Sequence, residues 1–473
     1  MLDRREFLKA AGLAALAPAA CVSTSREGAW VNDVHSQLNR TWVSAVRKPA
    51  SIDELRAALR GRGPVSIAAG RHSMGGQQFA TNATLIDMNG LTRFENVDHT
   101  NGIVNVEAGI QWPALIAALK TMPWAIRQKQ TGADRLSIGG ALGSNVHGRG
   151  LTMKPFIDDV ESFTLVDANG ELVECSRTKN SELFRLAIGG YGLFGVIASV
   201  RLRVLLRHKV QRIVEEQSIE TVMDAFESRI ASGFEYGDFQ FSIDAASDGF
   251  LRKGVFSCYR PVTDDTPIAD AQAELKPEDW MKLLYLAHAD KAEVYRQYVG
   301  YYLTTSGQVY WSDEHQLGYY ADDYHRAIQL PGTEMISELY VPRARLADFM
   351  LAAAEMLRNR KEDVIYGTVR LIERDDESVL RWAKQPYACV IFNLHVEPSD
   401  AGKERAADSF RALIDLAAER DGSYYLTYHR WARRDQVERC YPEMRAFLRE
   451  KKRFDPRERF QSDWYRHYRA MFA

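Results

Sequence analysis

Cysteine is scarce in this chain: five among 473 residues, too few for a disulfide scaffold at this length. Apart from Cys21 near the start, Cys175, Cys258, Cys389 and Cys440 are scattered, form no C-x-x-C pair and have no histidine at metal-ligand spacing. Buried free thiols are the expectation. An excess of one charge is lacking too. Sixty-one Lys and Arg stand against 63 Asp and Glu, a net charge of −2, so no global basic field exists to attract nucleic acid or an anionic membrane. No apolar run reaches the roughly 18 residues that a spanning helix needs. Walker A, H-E-x-x-H and G-x-S-x-G words are absent, and with them the phosphate, zinc and serine chemistry those spacings serve. What is present is ordinary for a folded chain: 46% hydrophobic and 26% charged residues exclude wholesale disorder. At about 150 residues per domain, the length suggests about three units.

The first residues read as an address. Arg4-Arg5-Glu6-Phe7-Leu8-Lys9 precedes an apolar, small-residue run over 10–20, the plan of a signal peptide. The adjacent arginines make it resemble the bacterial twin-arginine signal over residues 1–21. That route carries folded proteins, often already loaded with a cofactor, to the periplasm or beyond. Cys21 follows Ala19-Ala20. Membrane attachment is expected only if that cysteine is lipidated.

Residues 41–203 alternate helix-like and strand-like pieces around glycine clusters. Residues 51–60 read as a helix with Ser51 as N-cap and Glu54 completing a capping box. A short apolar strand at 65–69 runs into Gly70-Arg71-His72-Ser73-Met74-Gly75; glycine there lets backbone turn sharply and approach a ligand. A second cluster holds Gly132, Ser137, Gly139, Gly140, Gly143, Ser144, His147 and Gly148. Its exposed backbone N–H groups can hold a pyrophosphate without a basic residue. Asn169-Gly170 between two apolar runs marks a hairpin. Gly190-Tyr-Gly192-Leu-Phe-Gly195 fits G-x-G-x-x-G, but a helix precedes it and a strand, Val196 onward, follows. The Rossmann mechanism needs the reverse order, so a nicotinamide site is discounted.

Taken in order, these segments resemble the FAD-binding domain of the vanillyl-alcohol oxidase family, with PCMH-type architecture, over residues 43–204 and again at 454–468. The resemblance implies an α+β fold. A domain of two α+β subdomains (residues 22–205) would clamp FAD, and a cap domain (206–450) with an antiparallel sheet backed by helices would cover the flavin. Residues 451–473 would return to the FAD domain. It implies that Gly70, Arg71, His72, Ser73 and Gly75 form the first flavin loop. Gly132, Ser137, Gly139, Gly140, Gly143, Ser144, His147 and Gly148 would receive the pyrophosphate and ring, and Gly192, Gly195 and Val196 the closing turn. In relatives that oxidise sugar lactones and alditols, a histidine in the first loop carries FAD covalently; His72 stands there. Residues 131–150 contain no cysteine, so no second link is expected.

The second half, poorer in glycine, has strand-like runs at 239–243, 338–341, 364–372 and 390–396, and helix-like runs at 346–357 and 403–418. Residues 279–331 read as aromatic-rich and irregular; with Asp322, Asp323, Tyr324 and His325 they could wall a sugar pocket or simply be core and surface aromatics. Oxidising an alcohol carbon needs a base for the hydroxyl proton and positive charge for the reduced flavin. Arg370 resembles the active-site arginine of alditol oxidases, although the carboxylate of that pattern is Thr368 here. Tyr428-His429-Arg430-Trp431 is partly similar to their P-H-W word. Glu338 and Asn393 sit on strands as inward polar candidates, each equally compatible with an outer face at period two. The tail at 453–463 is similar to that of decaprenylphosphoryl-ribose oxidases, whose lysine after a G-x-x-Y-L-x word is Tyr428 here. The expected activity is oxidation of a CH–OH group of a sugar, sugar lactone or polyol, with oxygen or another acceptor taking the electrons. A decaprenylphosphoryl-sugar oxidase and a non-catalytic flavin-fold binding protein are the alternatives.

Overall fold

The computed structural model describes residues 25–318 and 331–473. The twin-arginine segment, Cys21 and the 319–330 stretch with Asp322, Asp323, Tyr324 and His325 lie outside the described residues. The first sheet holds β1 (Ser25–Val31), β2 (Thr41–Arg47), β3 (Val65–Ala68) and β4 (Thr84–Asp87) in the order β1-β2-β4-β3, parallel at β2–β4 and β3–β4. Helix α1 (Ile52–Leu59) makes the crossover between β2 and β3. It starts where expected: the Ser51 side chain accepts from Glu54 N at 3.2 Å. Glu54, however, reaches Ala50 N at 2.9 Å, one residue upstream of a standard capping box.

The second sheet is antiparallel. It contains β5 (Phe94–Asp98), β6 (Ile103–Glu107), β8 (Val160–Val166), β9 (Leu172–Ser176) and β10 (Val196–Leu206) in the order β5-β6-β10-β8-β9, with β7 (Trp124–Ile126) also on β10. The central strand β10 buries Val196, Ala198, Val200, Leu202 and Val204 in strict alternation, so its register decides which face meets the core. Three helices attend this sheet: α2 (Trp112–Leu119), α3 (Ile138–Ser144) and α4 (Ser181–Ala187). Residues 459–464 return to this half of the chain, beside β3 of the first sheet and the turn before β10. Val65 N donates to Arg459 O at 2.7 Å, Gln461 N to Val65 O at 2.8 Å, and Trp464 packs 4.9 Å from Tyr191. Burying Trp464, Tyr465 and Tyr468 of the final helix (Asp463–Met471) contributes roughly 1.5–3 kcal/mol each.

Past Leu206 the chain enters an eight-stranded antiparallel sheet. Its strands are β11 (Lys209–Ser218), β12 (Tyr236–Phe241), β13 (Lys253–Val262), β14 (Val309–Trp311), β15 (Thr333–Pro342), β16 (Val364–Ile372), β17 (Tyr387–Val396) and β18 (Ser423–Tyr424), in the order β14-β11-β13-β12-β16-β17-β15-β18. Helix α5 (Val222–Ala231) links β11 to β12. Helices Leu346–Arg360 and Asp400–Ala418 pack on one face of β15. The expected fold, an FAD-clamping α+β half and an antiparallel sheet backed by helices, is what the chain adopts. One expectation fails. Residues 277–304 are not irregular but form two helices, α6 (Pro277–Ala289) and α7 (Lys291–Thr304). The aromatics that suggested irregularity recur at helical spacing: Tyr295, Tyr298 and Tyr302 lie three and four residues apart.

Candidate functional site

Three glycine-containing turns converge on a narrow cleft of about 100 Å³ between the first two sheets. The turn after β3 brings Gly70, Arg71, His72 and Ser73; α3 brings Ser137, Gly139, Gly140, Gly143 and Ser144; the turn before β10 brings Gly192 and Gly195. Each is shaped by local demands. A Cβ on Gly70 would lie 2.2 Å from Arg135 O, and Gly195 at φ +148° would drive one into Leu165 at 2.3 Å. Ser137 caps α3 by accepting from Gly140 N at 3.1 Å. At Gly143 a Cβ would meet nothing within 4 Å, so the missing side chain leaves room beside the helix. Arg71 Nε, Gln78 Oε1 and His72 Nε2 on this lining are buried without a hydrogen-bond partner in the protein. Buried polar atoms are rarely left so; a bound polar ligand would complete them.

The cleft shares His72, Ser73, Leu136 and Ser144 with a second cavity of about 370 Å³. Strand periodicity builds its floor. Glu338 on β15 pairs with Ile391 on β17, which pairs with Thr368 on β16; one step along, Ile336, Asn393 and Tyr366 form the next row. Arg370 follows on β16. The helices α6 and α7 form one wall with Leu283, Leu284, Ala287, Val294 and Tyr298, and the FAD half supplies Thr131, Gly132, His147 and Arg149. This wall of apolar side chains with a few convergent charges is the usual make-up of a small-molecule site. Arg149 lies 3.7 Å from Asp238 and gives Nη2 to His315 O at 3.0 Å. Arg370 donates Nη2 to Thr131 Oγ1. The Nε atoms of both arginines, Gln240 Oε1 and Asn393 Oδ1 are buried and unpartnered in the protein.

Two histidine pairs stand at the junction. His72 Nδ1 and His35 Nε2 are 2.9 Å apart, and His35 Nδ1 lies 3.6 Å from Glu334 Oε1. Glu334 Oε2 in turn accepts from Asn393 Nδ2 at 2.8 Å. Burial, then the charges of His35 and Lys129, holds the His72 pKa well below its ordinary value, so the ring is neutral and its Nε2 is available. Burial lowers Lys129 to about 8, against the pull of Asp134 at 2.6 Å. In the other pair, His147 Nε2 meets Glu338 Oε1, while His147 Nδ1 faces Gly148 O at 3.0 Å. A carbonyl can only accept, so Nδ1 carries a proton. The Nε2 contact then requires a second one, shared between imidazole and carboxylate.

Of the residues singled out in the sequence, the structure gathers Arg370, Glu338, Tyr428, Asn393, Gly132 and His147 around the larger cavity and eleven others along the cleft. Four go elsewhere. Gly75 hydrogen-bonds Gln77 and Thr427. Gly148 packs on Lys129, whose carbonyl would sit 2.8 Å from a Cβ. Val196 belongs to the core beneath β10. His429 turns away from the cavity: it stacks on Phe410 and Trp431 and meets Ser337 Oγ at 3.2 Å. Its neighbour Tyr428 faces the cavity instead, its phenol pKa raised by burial and then by Glu338. Sequence reasoning missed His35, Glu334's tie to it, Arg149, Asp238 and Arg212. For Glu334 a signal exists: it stands four residues before Glu338 on β15, on the same strand face at period two.

His429 therefore reads as a packing residue. Burial lowers its pKa to about 3 from 6.5. A depressed histidine binds fewer protons folded than unfolded, so its contribution is full above about 6.5 and is lost as pH falls toward about 3. His429→Phe is expected to keep turnover within a few fold and to flatten the decline of the melting midpoint across that window. A hundredfold loss of turnover with intact folding would return His429 to the chemistry.

Residues 43–176 match a family model described as an FAD binding domain. L-gulonolactone oxidase from Bos taurus is 29% identical over 187 residues, covering 39% of this chain and 42% of that protein. L-gulono-1,4-lactone dehydrogenase from Mycobacterium tuberculosis is 28% identical over 203 residues, 42% of this chain and 46% of that one. Cytokinin dehydrogenase 3 from Oryza sativa subsp. japonica is 34% identical over 183 residues, 36% of this chain and 34% of that one. The chain thus spans less than half the length of these curated relatives.

Proposed function

Starting from an FAD-binding domain of the PCMH type at residues 43–176, we propose that this protein is a flavoenzyme that oxidises a CH–OH group of a sugar lactone or a related sugar or polyol. One observation carries the reading. The larger cavity opens onto the glycine-lined cleft at His72 and Ser73, and its walls hold a carboxylate–imidazole pair and a guanidinium with an unpartnered Nε. The names of two relatives, both acting on gulonolactone, fit that chemistry.

Gly70, Arg71, Ser73, Ser137, Gly139, Gly140, Gly143, Ser144, Gly192 and Gly195 would hold FAD along the cleft, and bound FAD supplies the hydride acceptor. The chain's own residues do the rest. Once the proton shared between them has left, Glu338 and His147 take the substrate's hydroxyl proton between Oε1 and Nε2, which restores the arrangement already described. Arg370, buried and held by Thr131, stabilises negative charge on the reacting pair. Asn393 and Gln240 offer hydrogen bonds to hydroxyl groups. The apolar α6–α7 wall excludes water and strengthens these interactions. We further propose that the cofactor is covalently bound through His72 Nε2, since Nδ1 is engaged by His35.

Anaerobic mixing with sugar lactones, alditols and lipid-linked sugars tests the activity. Bleaching of the flavin by a lactone or alditol is expected, and air or another acceptor should restore the colour. A second reading has its own observation: the apolar wall includes Trp280, 36% exposed at the rim, which suits the lipid tail of a decaprenylphosphoryl sugar. Bleaching by lipid-linked sugars alone would favour it. No bleaching by any of the three sinks both readings and leaves a binding role.

A further inference from the structure

A cluster of metal-ligating side chains stands apart from the cavity. His288, near the end of α6, points Nδ1 at Nδ1 of His395 on β17, 3.1 Å away. Asp363, in the turn before β16, places Oδ2 3.6 Å from His395 Nδ1 and 4.0 Å from His288 Nδ1. None of the three lines the larger cavity. The three ligand atoms thus face one point.

We infer that His288, His395 and Asp363 form a site for a divalent transition metal, zinc by the chemistry of its donors, that pins the α6–α7 hairpin to the sheet. Zinc bonds of about 2.0–2.1 Å at a tetrahedral angle put neighbouring ligand atoms about 3.3–3.4 Å apart. The three separations, 3.1, 3.6 and 4.0 Å, bracket that spacing, so side-chain shifts of well under an ångström complete it. Two imidazoles and a carboxylate, with a fourth position for water, suit zinc better than the oxygen-only sets of calcium or magnesium. The half-exposed Asp363 leaves water a path to that corner.

The surroundings orient the ligands as an outer shell does. His395 Nε2 lies 3.2 Å from Pro331 O. A carbonyl accepts only, so Nε2 carries the proton and Nδ1 presents its lone pair inward. The other oxygen of Asp363 takes Lys291 Nζ at 2.7 Å, which turns Oδ2 toward the histidines. Gly332, at φ +151°, lets the backbone lie against the His395 ring, where a Cβ would sit 2.0 Å from Nε2. The three ligands come from α6, the turn before β16, and β17. A metal there would hold the helix that carries Leu283, Leu284 and Ala287 against the strands that carry Tyr366, Arg370 and Asn393. Among the described residues the one other such group is His147 and Glu338 with Cys389 nearby, and its histidine and carboxylate belong to the cavity already described.

The test is calorimetric titration of untagged, chelator-treated, flavin-loaded protein with zinc, paralleled by cobalt absorption. One equivalent of zinc, and the intense visible bands of tetrahedral cobalt, are expected for the parent chain. His395→Gln should abolish both. Asp363→Asn, at a half-exposed position, should weaken binding by on the order of a hundredfold, since loss of a direct ligand's charge costs at least what loss of an outer-shell partner does. Circular dichroism and flavin content confirm that each variant is folded. No saturable zinc uptake by the parent overturns the proposal. So does undiminished uptake by both variants, or loss of uptake in Cys389→Ser alone, which would move the metal to the other cluster.

Discussion

His72→Ala is expected to leave every flavin extractable. Acid-denatured parent protein should retain its yellow colour in the pellet and show the added mass of FAD on the peptide that contains residue 72. The alanine variant should release all of it, while still binding some flavin when native, because the cleft's other residues remain. The chemical argument rests on which nitrogen is free. A ring nitrogen must bear a lone pair to attack carbon. His72 meets that condition at Nε2, since burial keeps the ring neutral and its Nδ1 faces His35. Parent colour that washes entirely into the supernatant would sink the covalent proposal and leave FAD binding intact. Loss of an alkyl-imidazole substituent also lowers the flavin's potential. For a two-electron couple every ~30 mV is about 1.4 kcal/mol, about tenfold in equilibrium, so the variant should turn over substrate more slowly at equal flavin occupancy. His35→Ala and Glu334→Gln probe the support. His35 holds His72 from the segment before β2, and Glu334 approaches His35 from β15. Both variants should lower the bound fraction without abolishing it, and free imidazole should partly rescue His35→Ala if the effect passes through His72.

Much of the flavin half is legible because its demands are local. A turn with positive φ, a close backbone approach or a capped helix start each selects a residue type within a few positions. Gly192 at φ +73°, Gly195 at φ +148° and Ser137 as N-cap are such cases. Strands of the second and third sheets are readable for a related reason, since β10 alternates buried apolar with more exposed residues and β16 and β17 carry runs of apolar ones. The cavity is less legible because it is assembled across the chain. His35 and Glu334 are brought together over nearly the whole fold, and Arg149 meets Asp238 only once β12 is placed. A charge in sequence carries no mark of the partner it will face. Tyr428 and His429 show the limit at single-residue scale. Just beyond β18 the two neighbours point oppositely, one to the cavity and one into an aromatic stack. A three-letter resemblance could not say which. The α6–α7 hairpin was hidden for another reason: its charged and aromatic faces blur the apolar stripe that marks a surface helix.

Glu338→Gln should cost the most in turnover. The substitution keeps the shape beside His147 and removes the proton-accepting charge. Loss of a positioned base costs about 10²–10⁴ in rate, or about 2.7–5.4 kcal/mol of barrier. Because the pair, not one residue, takes the proton, His147→Asn should fall in the same range, and the double variant should be little worse than either single one. Independent groups would instead multiply. Arg370→Met should lose about 10²–10³ in kcat, through a different term: charge stabilisation, not proton removal. A double-variant cycle separates the two: Glu338→Gln on top of His147→Asn should add little, whereas Arg370→Met on top of Glu338→Gln should multiply the losses. Arg370→Lys should recover only part of the loss, since an ammonium lacks the planar fork that reaches Thr131 and the cavity together. KM should move little for Glu338→Gln and more for Arg370→Met if the guanidinium also touches substrate. Near-parent turnover in Glu338→Gln, with flavin content unchanged, would remove the pair from the chemistry; Tyr428 would not replace it as base, since burial and then Glu338 hold its phenol protonated and leave it a hydrogen-bond donor.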